Sequence, residues 1–509
     1  MQRFFPRRAL TAGLRAVASN RVTQGSWVVN TSRSFSESVP RRNREDKEER
    51  KWSTPLAKQL AEAISMTGPI PLASYMRMCL TGDIDGYYTG LAEENRDQFG
   101  LKGDFVTSPE ISQIFGELVG VWFVAEWLSQ GKPKRGVELV EVGPGRGTLM
   151  DDMLRTMQNF KEFASSIDAI YMVEASPQLR EAQKNLLCGP DAPMTESKVG
   201  YHSVCKYESL PIVWTETIKS IPCDPDKMPL IMAHEFFDAL PIHAFQAVTV
   251  QPPAREPATS NASSTIPAKG KPKVEWREML VSPTPPDATH ETMNIPKSEQ
   301  GDPIPDFQMT LSTGPTRHSR YLPESSSRYS RLKSIPDAVA EICADASLYA
   351  ADFASRIGGS KQHPKARPSG AALILDYGTA DTVPINSLRG IRRHRRVSPF
   401  ADPGLVDLSA DVDFTAIAEA ATRSSEGVEV HGPVDQGAFL GQMGIKERAE
   451  VLMRQAGAKG VADKAQDIEK AWKRLTDRGP GGMGKVYKAM AILPENEGRR
   501  RPVGFGGDV

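Results

Sequence analysis

One short stretch limits this chain more than any other: an apolar run, Val137-Glu138-Leu139-Val140-Glu141-Val142, passes directly into Gly143-Pro144-Gly145-Arg146-Gly147-Thr148-Leu149. Such a run predicts a strand over Val137–Val142, buried on both faces as in a parallel sheet. Alternating glycines then let the backbone adopt positive φ and approach a ligand with no Cβ in between. An amphipathic helix follows. The spacing excludes two common phosphate binders. A P-loop needs Lys-Ser/Thr after its last glycine, but Thr148-Leu149 follows Gly147. A dinucleotide fingerprint needs its third glycine one residue later.

A second apolar run, Ala169–Glu174, again ends in an acid, and Ser176-Pro177 then opens a helix, with proline suited to the first helical position. A carboxylate at the tip of the second strand of a doubly wound sheet is placed to accept from both ribose hydroxyls. An acidic residue followed by Gly-x-Gly-x-Gly after a strand resembles motif I of the S-adenosylmethionine (SAM) methyltransferases. Glu141 suits that ligand, which is cationic and carries no phosphate to repel.

With 63 basic and 63 acidic residues the formal net charge is zero, so no basic excess points to nucleic acid as the main partner. The five cysteines (Cys79, Cys188, Cys205, Cys223 and Cys343) form no CxxC pair, so neither a disulfide framework nor a zinc motif is expected. No apolar run approaches the roughly 20 residues that span a bilayer. The N-terminus stands apart. Before Glu37 it carries Arg3, Arg7, Arg8, Arg15, Arg21 and Arg33, many Ser and Thr, and no acid. Phe4, Phe5, Leu10, Leu14 and Val17 could share one helical face. This is the pattern of a mitochondrial transit peptide, here residues 1–36, with Arg33-Ser34-Phe35-Ser36 resembling a matrix-protease site.

Helical periodicity is expected over Leu56–Ile64, Pro71–Leu80 and, with Ser108 as its cap, Ile111–Leu128. Further strands are expected at Tyr201–Val204, Pro229–His234 and Ala371–Gly378. Strands alternating with helices imply an α/β parallel sheet. Between His234 and Ala371 lies an excursion: a hairpin of Phe245–Val250 with Val274–Val281, a strand at Phe307–Leu311, and an amphipathic helix over Ser334–Arg356. Gln251–Lys273 and Ser282–Pro305 are rich in Pro, Ser and Thr and are expected to be disordered. The tail beyond Pro494 is expected to fray.

His234-Glu235-Phe236-Phe237-Asp238 follows a strand, on the edge that faces the ligand crevice of such a sheet. One helical turn would bring Glu235 and Asp238 to one face. Paired carboxylates beside a methyl donor suit a guanidinium, which binds carboxylates bidentately and needs a partner to take up the released proton. HExxH zinc chemistry is excluded, because Asp238 stands where its second His belongs.

These residues, together with Tyr87-Tyr88, Gly103-Asp104-Phe105-Val106-Thr107-Ser108-Pro109-Glu110, Leu375-Asp376-Tyr377-Gly378, the block from Ala401-Asp402-Pro403-Gly404 to Asp413-Phe414, and Gln436-Gly437-Ala438-Phe439-Leu440, resemble the MidA family of SAM-dependent methyltransferases. The resemblance runs from about residue 54 to 493. Its bacterial members tend to carry Asn at the position of His234. It implies an α/β fold: a Rossmann-like class I SAM-dependent methyltransferase with a helical N-terminal cap and a β-containing insertion. The expected parts are a linker over 37–53, the cap over 54–130, a SAM-binding core over 131–243, the insertion over 244–333, the rest of the methyltransferase domain over 334–493 and a flexible tail over 494–509. It implies SAM held by Glu141, Gly143, Gly145, Gly147 and Glu174, with Asp104 and Thr107 on a lid, and no metal. Chemistry would rest on Glu235, Asp238 and His234.

The mitochondrial members are protein arginine methyltransferases that assist assembly of respiratory complex I. The implied reaction is type II, symmetric dimethylation of an arginine on a core subunit of its peripheral arm, in the matrix; a homodimer is compatible. Two other readings are a non-catalytic assembly chaperone of the same fold and a methyltransferase acting on RNA or a small molecule. The basic run Arg389–Arg396 lacks interleaved aromatics and is expected on a solvated face or an acidic partner's surface rather than on RNA. Asp402-Pro403-Gly404 is expected as a turn, with the acids up to Asp413 able to line an arginine channel.

Overall fold

The computed structural model describes residues 50–90, 103–251, 272–293, 301–458 and 461–506. The expected leader, most of the expected linker and most of Gln251–Lys273 lie outside the described residues. In chain order the strands are β1 (Val137–Val142), β2 (Ile167–Val173), β3 (Tyr201–Val204), β4 (Pro211–Thr215) and β5 (Met228–His234). Then come β6 (His243–Val250), β7 (Lys273–Pro283), β8 (Phe307–Leu311), β9 (Val339–Ile342) and β10 (Ala371–Thr379). The last are β11 (Arg389–Arg392), β12 (Arg395–Val397), β13 (Asp407–Ser409), β14 (Val428–Asp435) and β15 (Tyr487–Pro494).

The central sheet has the order β14-β15-β10-β5-β1-β2-β4-β3. Its middle five strands, β10, β5, β1, β2 and β4, are parallel. All residues of β1 and β5 are buried, because helices cover both faces. On one face Gln113–Ser129 and Thr148–Met157 bury Phe115, Trp122 and Met153 against Leu139 and Trp214. Gly116 and Gly120 let these two helices meet closely: a Cβ at Gly116 would lie 2.5 Å from Asp152 Cβ. On the other face Ala344–Gly358 and Phe414–Ser424 bury Phe353 and Phe414 against Ile231 and Ile374. Each such large side chain contributes about 1.5–3 kcal/mol relative to leaving it in water. The chain leaves β1 for β2 on one side and reaches β5 on the other. That reversal opens a crevice at the carboxyl ends of β1 and β5.

The excursion forms an antiparallel sheet, with β7 between β6 and β8 and with β9 on the far side of β6. Its hairpin and third strand are where the alternation of apolar residues places them. The helices Pro55–Thr67 and Leu72–Thr81 pack on this sheet and on β13, burying Leu60 and Tyr75 with Val281, Phe307 and Leu408. Gln113–Ser129, by contrast, belongs to the core beneath the glycine loop.

Several expectations need correction. Ser112, not Ser108, caps the long helix: its side chain accepts from Ile114 N, and Ser108–Ile111 is a separate turn. Residues 334–356 are not one helix, because β9 pairs with β6 before Ala344–Gly358 begins. Only the ends of Ser282–Pro305 are tied into the fold: β7 runs on to Pro283 opposite Phe307, and Thr284 is buried, while most described residues between are exposed. Of the described tail, residues 495–499 are exposed, but the stretch around Phe505 is packed. Phe505 is buried against Phe439 and Trp122, and Trp122 Nε1 donates to Val503 O at 3.0 Å. The strands β4, β14 and β15 are not among those expected, although β4 and β15 carry short apolar runs, Ile212-Val213-Trp214 and Ala489–Leu493.

Candidate active site

The carboxyl ends of β1, β2, β5 and β10 surround a cavity of about 680 Å³, within the range of small-molecule and cofactor sites. One end is the glycine loop. Gly143, Gly145 and Gly147 have φ of 65°, 53° and 83°, values that side-chain-bearing residues rarely adopt. A Cβ on Gly143 would lie 2.7 Å from Phe236 Cδ2, so the glycine lets the loops after β1 and β5 touch. Gly147 caps the helix Thr148–Met157. Gly143 and Gly145 line the cavity wall and Gly147 stands behind them.

Glu141 is buried and lines the cavity, and its Oε2 has no hydrogen-bond partner among the described residues. Burial, with Glu174 nearby, pushes its carboxyl up to about 8. Glu174 accepts from Ser176 N at 2.8 Å and Gln183 Nε2 at 3.1 Å, and burial lifts it to about 7. An unpartnered buried carboxylate is costly unless a ligand satisfies it. A sulfonium- and amine-bearing ligand with a ribose fits this end: positive charge for Glu141, hydroxyls for Glu174, and bare backbone where it approaches closely. Gln183, which the sequence reading missed, braces the loop. Its Nε2 donates to Gly145 O at 2.6 Å, and its Oε1 accepts from Trp214 Nε1 at 2.9 Å.

The other end is acidic and aromatic. Glu235 and Asp238 both line it, but not through a helical turn: Glu235 sits in the left-handed region at φ 47°. Such a conformation costs on the order of 1–3 kcal/mol, and Asp376 at the end of β10 sustains it. Fully buried, the Asp376 Oδ2 accepts from the amides of Phe236, Phe237 and Asp238 at 3.1, 2.8 and 3.3 Å, while its Oδ1 accepts from Tyr377 N at 2.8 Å. Asp376 thus gathers the whole 236–238 turn onto one carboxylate.

Glu235 accepts from Ser108 N at 3.4 Å, and Tyr487 lines the same end of the cavity. Burial, with Asp238 adding, pushes the Glu235 carboxyl up to about 8. Asp238 accepts from Tyr377 OH at 2.5 Å through Oδ2, while Oδ1 has no partner among the described residues. Burial raises its carboxyl as well. His234 packs edge-on to Phe115 at 5.0 Å, and its Nε2 lies 3.2 Å from Glu235 Oε1, outside hydrogen-bond alignment. Burial holds its imidazole down at about 3, so it is neutral.

Asp407 and Asp411 complete the acidic wall. Asp407 accepts from Tyr88 OH at 2.9 Å, and burial lifts it to about 7. Asp411 pairs with Arg389 at 2.7 Å, and that guanidinium stacks 4.5 Å above the Tyr377 ring. The basic run is therefore not simply a solvated face. It forms the β11–β12 hairpin, which turns at Arg393 and His394 (φ 51° and 59°) and sends Arg389 and Arg396 to the cavity. Asp402-Pro403-Gly404 is a turn, as expected, with Asp402 paired to Arg392. Thr107 reaches the cavity, whereas Asp104 does not. Asp104 accepts from Tyr87 OH at 2.8 Å and Arg393 N at 2.7 Å, tying the Tyr87–Tyr88 turn to the hairpin.

A family model for S-adenosyl-L-methionine-dependent methyltransferases matches residues 118–434. The chain is similar to a Drosophila melanogaster protein named protein arginine methyltransferase NDUFAF7 homolog, mitochondrial (35% identical, covering 86% of this chain and 85% of that one). Zebrafish and human proteins named protein arginine methyltransferase NDUFAF7, mitochondrial, are 36% and 32% identical. They cover 78% and 87% of this chain, and 78% and 84% of their own lengths. Among solved structures, a Burkholderia thailandensis protein bound to S-adenosyl-homocysteine shares the fold. Its TM-score is 0.58 at 21% identity, over 89% of this chain and 92% of that one. With a glycine loop and flanking carboxylates that suit the cofactor and relatives that match over most of its length, the chain belongs to this family of S-adenosyl-L-methionine-dependent methyltransferases.

Proposed function

We propose that this chain methylates a protein arginine, producing symmetric dimethylarginine on a core subunit of the peripheral arm of respiratory complex I during its assembly in the mitochondrial matrix. The observation that carries the arginine reading is the pair of Glu235, its side chain 11% exposed, and buried Asp238, two carboxyls that share one cavity with the glycine loop. The names of the relatives and the Arg-rich, acid-free leader agree with it.

Bound over Gly143, Gly145 and Gly147, with Glu174 on the ribose and Glu141 near the amino-acid moiety, SAM supplies an electrophilic methyl on a sulfonium. Everything else falls to the chain. Glu235 and Asp238 accept from the guanidinium, and the arriving cation draws both carboxyls back toward ionisation. They aim one guanidinium nitrogen at the methyl, which supplies orientation and electrostatic preorganisation. As the N–C bond forms, the bond from the methyl to sulfur breaks and its electron pair leaves with the thioether product S-adenosylhomocysteine; Glu235 takes up the proton that the nitrogen releases, then passes it to solvent. His234, neutral across the physiological range, walls and positions Glu235 rather than carrying that proton. Tyr377 holds the Asp238 carboxylate in place, and Tyr487 walls the cavity beside Glu235. Thr107 closes the cavity from the Gly103–Glu110 side.

The test is transfer of a labelled methyl group from SAM to isolated peripheral-arm core subunits, with methylarginine identified by mass spectrometry. Symmetric dimethylarginine that is absent with Glu235→Gln is the expected result. SAM binding without transfer to any arginine would favour the assembly-chaperone reading instead.

A further inference from the structure

Away from the cavity, the excursion sheet brings together three side chains that no sequence motif connects. Phe245 on β6 lies opposite Glu278 on β7, so His243, two residues earlier, points to the same face. The short helix Arg317–Tyr321 lays His318 over both. His243 Nδ1 lies 2.9 Å and His318 Nδ1 3.2 Å from the same oxygen, Glu278 Oε1. One ligand atom from each residue lies within 4.8 Å of the others.

We infer that His243, Glu278 and His318 form a binding site for a divalent transition-metal ion of the zinc class, with water completing the coordination. Imidazole and carboxylate are the ligand types such ions take, with metal–ligand bonds of about 2.0–2.2 Å. A tetrahedron with bonds of that length has edges of about 3.3 Å, close to the two nitrogen–oxygen separations observed. The carboxylate is oriented from behind, as metal-binding carboxylates are. The Thr316 hydroxyl donates to Glu278 Oε2, while Oε1 faces the two imidazoles. The Glu278 side chain is 1% exposed and that of His318 41%, which leaves an entry path on the His318 side. The ion would pin the helix Arg317–Tyr321 to the β6–β7 hairpin. His243 stands only two residues beyond cavity-lining Pro241, so the clamp would also steady the approach to the substrate wall.

The test uses the full chain, stripped with EDTA and titrated with ZnCl2 by calorimetry, and in parallel with Co2+ by absorption. The expected result is one tight equivalent, with Co2+ d–d bands and no thiolate charge-transfer band. In His318→Gln, at the more exposed position, affinity should fall by more than the about 10–100-fold seen for orienting residues, with far-UV circular dichroism unchanged. His243→Gln should behave likewise. Equal binding by wild type and His318→Gln, a thiolate band, or no stoichiometric uptake by wild type would each overturn the assignment. The three side chains would then be a hydrogen-bonded His–Glu–His cluster only.

Discussion

The two ends of the cavity are built in different ways. The cofactor end comes from a single continuous stretch, Glu141 to Gln183, in which each part follows from its neighbours: strand, glycine turn, helix, strand, acid. The substrate end draws Tyr88, Glu235, Asp238, Tyr377, Arg389, Asp407 and Tyr487 from six places spread over most of the chain. The cofactor end depends on backbone conformation and the absence of side chains. The substrate end depends on buried carboxyls whose positions are set by groups such as Asp376, far away in sequence. A local element tolerates change elsewhere in the molecule, whereas an assembled one should respond to any of its supports.

Breaking the cofactor end has the largest expected effect. Gly145→Val demands φ near 53° from a β-branched residue and fills the space above the loop. SAM binding by calorimetry should become undetectable while the circular dichroism spectrum is kept; retained binding would remove the glycine loop from the site. Next comes the substrate end. Glu235→Gln should lower kcat/KM by about 10²–10⁴-fold, with SAM affinity nearly unchanged. Equal losses in both would mean that the two ends are not separable.

A support of the substrate end gives a smaller and diagnostic effect. In Asp376→Asn one oxygen becomes an amide that cannot accept, leaving a buried amide N–H unpaired at about 1–3 kcal/mol. The melting temperature should fall. kcat should fall too as the 236–238 turn loosens, with SAM affinity kept. Lower stability with unchanged kcat would confine Asp376 to folding.

The smallest effect is a pH slope. Without ligand, the Glu235 carboxyl is raised from 4.5 to about 8. The folded state therefore holds this proton more tightly than the unfolded chain does. Its contribution to stability is complete below about pH 4.5 and is lost as pH rises through about 8. Glu141, raised in the same way, adds to the loss. The ligand-free melting temperature should decline across this window, and Glu235→Gln should flatten the decline. Methyl transfer should run the opposite way, with kcat/KM rising as Glu235 ionises toward about pH 8. A melting temperature that rises over the window would contradict both slopes.

The sequence by itself determined the parallel core strands β1, β2, β5 and β10, the positive-φ glycine loop and the acids Glu141 and Glu174. These follow from interactions between near neighbours: continuous apolar runs need burial on both faces, and only glycine turns so sharply without strain. It also marked Glu235 and Asp238 as a pair, although the helical turn expected to align them is a left-handed bend. Only the tertiary structure decided how that bend is held, because the carboxylate that collects its amides, Asp376, lies about 140 residues away. The same holds for Asp104, which ties a hairpin turn rather than facing the ligand, and for Arg389, drawn from a basic run into the acidic wall. Tyr487 and the His243–Glu278–His318 cluster had no signal at all. Their meaning comes from side chains meeting across a folded sheet, and spacing along a chain carries no information about contacts that only packing creates.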